Sequence, residues 1–242
     1  MKNKNFVLVL ILCIIFTSNL FGQSNTKKKQ KKSDWVTLFD GTSTDAWRSS
    51  HSEGFPEQGW KIEGNVLTVL TKTDSTPAGT DVITKKLYSN FELELEINLT
   101  EGANSGIKYF VSDAFPGYEG QYLGLEFQLI DDERHPDAKL GRDGNRTMAS
   151  LYDLIPAVKD KKVNLPGKWN KIKLVVNGNH VEHWLNGKKV LEFDRKSDSF
   201  RQLVAISKYK NFINFGEIPE GHILLQGHSD QVSFRNIKIR TL

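Results

Sequence analysis

Short alternating apolar and polar runs, separated by glycine, asparagine, aspartate and proline, predict an all-β fold from Trp35 onward. Helical periodicity is scarce. About a dozen strands are expected, too many for one twisted open sheet, so the prediction is a jelly-roll sandwich of two antiparallel sheets.

The chain begins with Lys2 and Lys4, an apolar run from Phe6 to Phe16, and a short polar stretch ending at Gly22. That layout predicts a cleavable export signal over residues 1–22 and a periplasmic or extracellular destination. The run is shorter than the roughly 20 residues that span a bilayer, so no membrane span is expected. Residues 23–34 form a polar, lysine-rich linker, and residues 35–242 the folded domain. Cys13 is the sole cysteine, with Leu12 before it in place of the small residue a lipidation site needs. The exported chain therefore relies on an ordinary core, without disulfides or cysteine metal sites.

The formal charge is +4, from 33 basic and 29 acidic residues. Removing Lys2, Lys4, Lys27, Lys28, Lys29, Lys31 and Lys32 leaves 26 basic residues, so the domain itself is slightly acidic. Nucleic acid is not an implied partner.

Within the domain, Asp81–Thr84 predicts a strand, and Phe91–Ile97 is a cleanly amphipathic one whose glutamates are expected to face solvent. Ile107–Val111 follows. Lys171–Val176, His180–Leu185 and Lys188–Leu191 are joined by Asn177-Gly178-Asn179 and Asn186-Gly187, whose tolerance of positive φ predicts a three-stranded meander. His222–Gln226 and Val232–Ile239 close the domain. The stretch from Asp131 to Val163 holds Pro136, Pro156 and mixed charge, and is expected to be a long working loop.

Gly124–Asp132 is the segment that points to chemistry. A period of two places Glu126 and Gln128 on the face opposite Leu125, Phe127 and Leu129. Such a row is either a wetted outer face or a site.

Several motifs resemble one domain family: Trp35–Gly41 with Trp47, Gly59–Asn65, Asn104–Ile107, Glu126–Asp131, Ala149–Asp153, Trp169-Asn170, Trp184–Gly187, Gly221–His228 and Phe234–Ile237. Over residues 35–242 the chain resembles the 3-keto-disaccharide hydrolase domain family. The resemblance implies a concanavalin A-like jelly roll and an exported enzyme that cleaves glycosides oxidised to a ketone at C3. One motif departs from the family pattern: Gln226-Gly227-His228-Ser229 stands where Gln-Asp-His-Gly is usual, so a carboxylate is missing.

A C3 ketone acidifies the proton on C2, so a base can remove it and the group on C1 can leave by elimination. Water can then add to the unsaturated sugar. This route needs a base, a stabiliser for the enolate oxygen and an acid for the departing alcohol. Glu126 is the leading candidate, with His135 as a proton shuttle and Lys108 or Arg146 as the enolate or ketone partner. Gln128, Asp131, Tyr152, Gln226 and His228 offer hydrogen bonds to the oxidised glycoside or disaccharide. Trp184 is either a stacking plate for a sugar ring or a core residue. Glu126, Asp131, His135 and His228 could supply an oxygen and imidazole set for a divalent ion, and a sandwich can hold structural calcium, but no spacing is diagnostic. Oligomeric state leaves no mark in the sequence.

Two other functions use the same residues. A laminarinase-type glycoside hydrolase carries Glu-x-Asp-x-x-Glu, where this chain has Glu126, Gln128 and Asp131. Replacing the middle acid and shortening the last one damages a two-carboxylate mechanism. A non-catalytic lectin-like module would use the same amides and aromatics for binding alone.

Overall fold

The computed structural model describes residues 33–112 and 122–242. The expected export signal over residues 1–22 and the expected linker as far as residue 32 lie outside the described residues. Among those described, thirteen strands form two antiparallel sheets, and no helix is long and apolar enough to cross a membrane.

The large sheet has the order β11(Lys188–Asp194), β10(His180–Leu185), β9(Asn170–Asn177), β6(Phe91–Leu99), β13(Val232–Thr241), β4(Val66–Val69), β3(Trp60–Glu63), with β1(Val36–Phe39) also paired to β13. The small sheet runs β2(Trp47–Ser49), β5(Val82–Thr84), β12(His222–Leu225), β7(Asn104–Val111), β8(Leu125–Ile130). The predicted Asn-Gly meander is present as β9, β10 and β11. Asn186, at φ 50°, and Gly187, at φ 83°, supply the left-handed backbone its second turn requires.

Apolar residues of both sheets form one continuous core. His183 of β10 and Phe127 of β8 tie the sheets together, their rings stacked with centroids 4.4 Å apart. His183 Nε2 lies 2.9 Å from the Tyr109 hydroxyl, and Nδ1 lies 2.9 Å from the Ala149 carbonyl. Burial pushes the His183 imidazole down to about 4, with the bond to Ala149 only partly offsetting it, so the ring sits neutral in the core.

The glutamates of β6 differ from expectation. Glu92 is buried and Glu94 and Glu96 are half-buried, because each faces a cation on β13. Glu92 accepts from Arg240, Glu94 pairs with Lys238 at 3.0 Å, and Glu96 accepts from Arg235 at 2.6 Å. The antiparallel register sets these three pairs opposite one another.

β8 is an edge strand of the small sheet, and its free edge is covered. Residues 149–152 of the long loop bond along it: Ala149 N–H donates to Gln128 O (2.8 Å), Gln128 N–H to Ser150 O (3.1 Å) and Tyr152 N–H to Glu126 O (3.0 Å). The same loop is tied down by Asp132, which accepts from Met148 N–H (2.6 Å) and pairs with Lys161 at 3.1 Å. A helix unannounced by periodicity, α1(Asp198–Ala205), follows β11; the Ser197 hydroxyl caps it by accepting from Phe200 N–H at 3.1 Å.

Candidate active site

The outer face of the small sheet carries a cleft of about 80 Å³. Register explains its floor: Gly106 pairs with Gln128 and Lys108 with Glu126, so these side chains rise on one face of β7 and β8. Asn104, also on β7, joins the floor, while Tyr152, Lys208, Tyr209, Gln226 and His228 form the walls.

Glu126 is 6 % exposed. Burial raises its carboxyl above the ordinary value of 4.5, against the opposing pull of Lys108, Lys208 and His228, while Asp81 raises it further. Gln128 supports it. With its amide NH₂ turned toward β7, Gln128 donates to Glu126 Oε1 at 3.1 Å and to the Ser105 carbonyl at 3.2 Å. That orientation follows from the bonding network, since the reverse would set oxygen against oxygen. The Lys108 ammonium donates to the Tyr122 carbonyl at 3.2 Å.

The second ammonium, Lys208, comes from the segment after α1. Lys208 is exposed at the cleft rim, yet the protein atoms crowded around it lower its pKa below the ordinary lysine value of 10.5, with Lys108 adding to the effect and Glu126 opposing it. Its ammonium stands 4.1 Å from the centroid of the Tyr152 ring. Its backbone N–H donates to Asp153 Oδ2 at 2.8 Å, and Asp153 Oδ1 accepts from Arg146 Nε at 2.8 Å. Arg146 also pairs with Asp137 at 2.7 Å. Burial opposes the charge on Arg146, but its bonds to Asp137 and Asp153 outweigh that cost and hold it protonated. Arg146 is therefore a brace behind the cleft, where the sequence offered it as a ketone partner. Tyr152 donates its hydroxyl to Asp137 Oδ2 at 2.8 Å, and burial and that bond raise its pKa, so it presents a ring face to the cleft.

Six of the ten residues proposed from sequence thus line one cleft: Lys108, Glu126, Gln128, Tyr152, Gln226 and His228. The other four do not. Asp131 accepts from the N–H groups of Gly102, Glu133 and Arg134 at 2.9, 3.1 and 3.3 Å and from the Arg134 guanidinium at 3.2 Å. Burial works against its charge, but those donors hold it below the ordinary carboxylate range. His135 caps the 3₁₀ turn Pro136–Lys139, its Nδ1 accepting from Asp137 N–H at 3.1 Å. Trp184 projects from the outer face of the large sheet, across the sandwich from Glu126. There its Nε1–H donates to Glu182 at 2.8 Å and Lys173 covers its ring at 3.8 Å.

A larger cavity of about 690 Å³ lies beside Trp184. In it Glu94 is paired with Lys238 and Lys173 covers the Trp184 ring, whereas the smaller cleft gathers a buried acid and two ammonium groups. Chemistry is assigned to the smaller one. The mixed set Glu126, Asp131, His135 and His228 does not converge as metal ligands. Among the described residues, the acid and imidazole groups that do converge are His180, Glu182 and Glu192, and Lys189 already pairs with Glu182 at 3.1 Å and Glu192 at 2.6 Å.

Asn104, Lys208 and Tyr209 were missed from sequence. Asn104 stands in the quoted Asn104-Ser105-Gly106 motif, a signal that went unused, whereas Lys208 and Tyr209 lie in an irregular segment with no pattern to mark them. Asp81 also escaped notice. It accepts from Gly227 N–H at 2.9 Å, within the closing motif. Burial raises its pKa, with Lys108 opposing.

Comparison with known proteins places this geometry. A relative from Bacteroides thetaiotaomicron named 3-keto-disaccharide hydrolase is 35% identical over 229 residues, covering 86% of this chain and 78% of the relative. A crystal structure from Parabacteroides distasonis, described as a candidate glycosyl hydrolase, superposes with a TM-score of 0.73 at 27% identity, covering 86% of this chain and 94% of that one. A Bacillus subtilis protein with a galectin-like fold, 12% identical, has a TM-score of 0.56 over 87% of this chain and 97% of its own, which supports the concanavalin A-like sandwich alone. The family model described as a 3-keto-alpha-glucoside-1,2-lyase-like domain matches residues 34–240. The chain belongs to the family of 3-keto-alpha-glucoside-1,2-lyase-like domains.

Proposed function

We propose that this protein is a carbohydrate-active enzyme that cleaves the glycosidic bond of 3-keto glycosides, by elimination across C1 and C2 followed by hydration. The observation that carries this reading is the pairing of one buried carboxylate with two ammonium groups in one cleft. Among the described residues lining it, Glu126 is the single carboxylate, and the neighbouring acid Asp81 is spent on the Gly227 N–H outside that lining, which does not match a glycosidase whose acid and nucleophile both face the substrate.

Glu126, with its pKa raised, takes the proton from C2. The electron pair moves into the C2–C3 bond, and the negative charge that develops on the C3 oxygen is met by Lys208 and Lys108. The pair then returns to form the C1–C2 double bond, and the C1–O bond breaks toward the alcohol. His228, on the exposed rim, is placed to give that oxygen its proton. Water adds its hydroxyl at C1 and gives its other proton to His228, Glu126 returns its proton to C2, and the sum is hydrolysis. A lyase-like half-reaction and a net hydrolysis are thereby two views of one sequence of steps. Asn104 and Gln226 hold the sugar hydroxyls, while Gln128 orients Glu126.

The test is incubation with a 3-keto glucoside, its unoxidised parent and a long β-glucan, with products followed by mass spectrometry in D₂O. Release from the keto substrate alone, a transient product one water lighter, and deuterium at C2 beyond a no-enzyme control are expected. Cleavage of the parent or the glucan would sink the proposal. We further infer from residues 1–22 that the enzyme works outside the cytoplasm; an intact N-terminus on the protein from fractionated cells would refute this.

A further inference from the structure

Asp81 stands just before β5, outside the residues that line the cleft, and the proposed cleavage gives it no part. Val82 pairs with Leu225 of β12, and the same register carried one residue on sets Asp81 opposite Gln226, on the face of the small sheet that holds Glu126 and Lys108. From there it reaches the turn that carries His228. Asp81 Oδ1 accepts from Gly227 N–H at 2.9 Å, a bond strengthened by the charge on its acceptor.

That turn is anchored at each residue before the ring. Gln226 N–H donates to the Gly106 carbonyl at 3.0 Å, and the Gln226 carbonyl accepts from the Ser105 hydroxyl at 2.8 Å. A Cβ on Gly227 would collide with the Gly79 carbonyl and stand 2.8 Å from the Thr80 carbonyl carbon, so the turn lies directly against the segment leading into Asp81. Ser229 follows at φ 67°, a left-handed conformation that a residue other than glycine keeps only where its surroundings impose it. Between these fixed points the His228 ring is exposed, and it has no hydrogen-bond partner among the described residues. A fixed backbone thus aims a free imidazole.

Resting on the proposed glycoside cleavage, we propose that Asp81 is the positioning residue for His228: through the Gly227 N–H it fixes the backbone from which the imidazole reaches the oxygen leaving C1. A loose turn would spread the ring over many directions, and proton transfer needs its donor within hydrogen-bond reach. Burial works against the ionised form of Asp81, while Lys108, the Gly227 bond, His228 and His51 favour it.

The test follows alcohol release from methyl and 4-nitrophenyl 3-keto glucosides, in both anomeric forms and above a no-enzyme control. Methoxide must be protonated as it departs, whereas 4-nitrophenolate leaves unaided and its release is limited by proton removal at C2. Asp81→Ala should lower kcat/KM for the methyl glucoside by about tenfold, part of the roughly 10²–10⁴ that a general acid supplies, and leave the 4-nitrophenyl glucoside within about twofold. Asp81→Asn keeps an acceptor oxygen for Gly227 and should recover most of the loss. In a His228→Gln background, Asp81→Ala should cost nothing further on the methyl glucoside, because there is no acid left to position. Thermal melts check that each variant folds. An equal loss on both glucosides would mark general damage or an effect on Glu126 and would overturn the proposal, as would full activity of Asp81→Ala or a tenfold loss added to His228→Gln. Release of neither alcohol by the wild type would overturn the cleavage reaction as well.

Discussion

A Cβ built onto Gly106 would stand 2.3 Å from Oε1 of Glu126, so this glycine of β7 is the space in which the carboxylate rests. Gly106 has an ordinary backbone conformation, and the close approach alone demands glycine there. Gly106→Ala should push the carboxylate out of line with C2 and lower kcat/KM on a 3-keto glucoside by about 100-fold, in keeping with the effect of a misplacement near 1 Å. A variant with wild-type rates would show that Glu126 need not sit where it does.

The pH dependence of kcat/KM should be bell-shaped. Its acid limb reports Glu126 and lies above 4.5, because burial raises that carboxyl and the base must be ionised. The alkaline limb reports Lys208 and lies below 10.5, because the protein packed around that ammonium and the neighbouring Lys108 charge lower it, and its charge is needed. Glu126→Gln should lower kcat by about 10²–10⁴. A full rate in that variant removes Glu126 from the mechanism.

Lys208→Met should lower kcat by about 10²–10³ with a smaller change in KM, since the charge is wanted chiefly when the enolate forms. Lys208→Arg keeps a cation and should shift the alkaline limb upward. Steady-state kinetics on both variants distinguish this from general damage, which would move kcat and KM in each alike.

His183 predicts a stability change with acid. Its folded value of about 4 is below the ordinary 6.5, so the unfolded chain binds the extra proton between those values. Stability is fully present above about pH 6.5 and declines as pH falls toward 4, by about 3 kcal/mol. Urea unfolding of wild type and His183→Gln at pH 7 and pH 4 measures it: the difference between the two pH values should shrink in the variant. An unchanged difference would mean the imidazole takes up a proton without cost.

Local pattern made much of this protein legible. Phe91–Leu99 and the β9–β11 meander follow from alternation and Asn-Gly turns, because strand period and turn chemistry depend on near neighbours. The short strands β1 to β4 each have three or four residues, too few for periodicity to single out. α1 is eight residues long and equally quiet.

The site divides the same way. By itself the sequence determined that Glu126 and Gln128 share a polar strand face, since side chains alternate about an extended backbone whatever lies around it. Alternation never says which face is the outer one of which sheet, and so Trp184 could be named beside Glu126 though it stands across the sandwich. Asp131 and His135 show the same limit: both are chemically able, but Asp131 is spent on backbone N–H groups that include the distant Gly102, and His135 on Asp137 two residues on. Only the pairing of β7 with β8 set Lys108 and Gly106 against Glu126 and Gln128, and only the packing of the segment after α1 brought in Lys208 from 82 residues away. Chain connectivity carries no record of that distance. The burial that raises Glu126 and the packing around Lys208 that lowers its ammonium are properties of the closed fold, and they set a buried carboxyl in one cleft with two lysines.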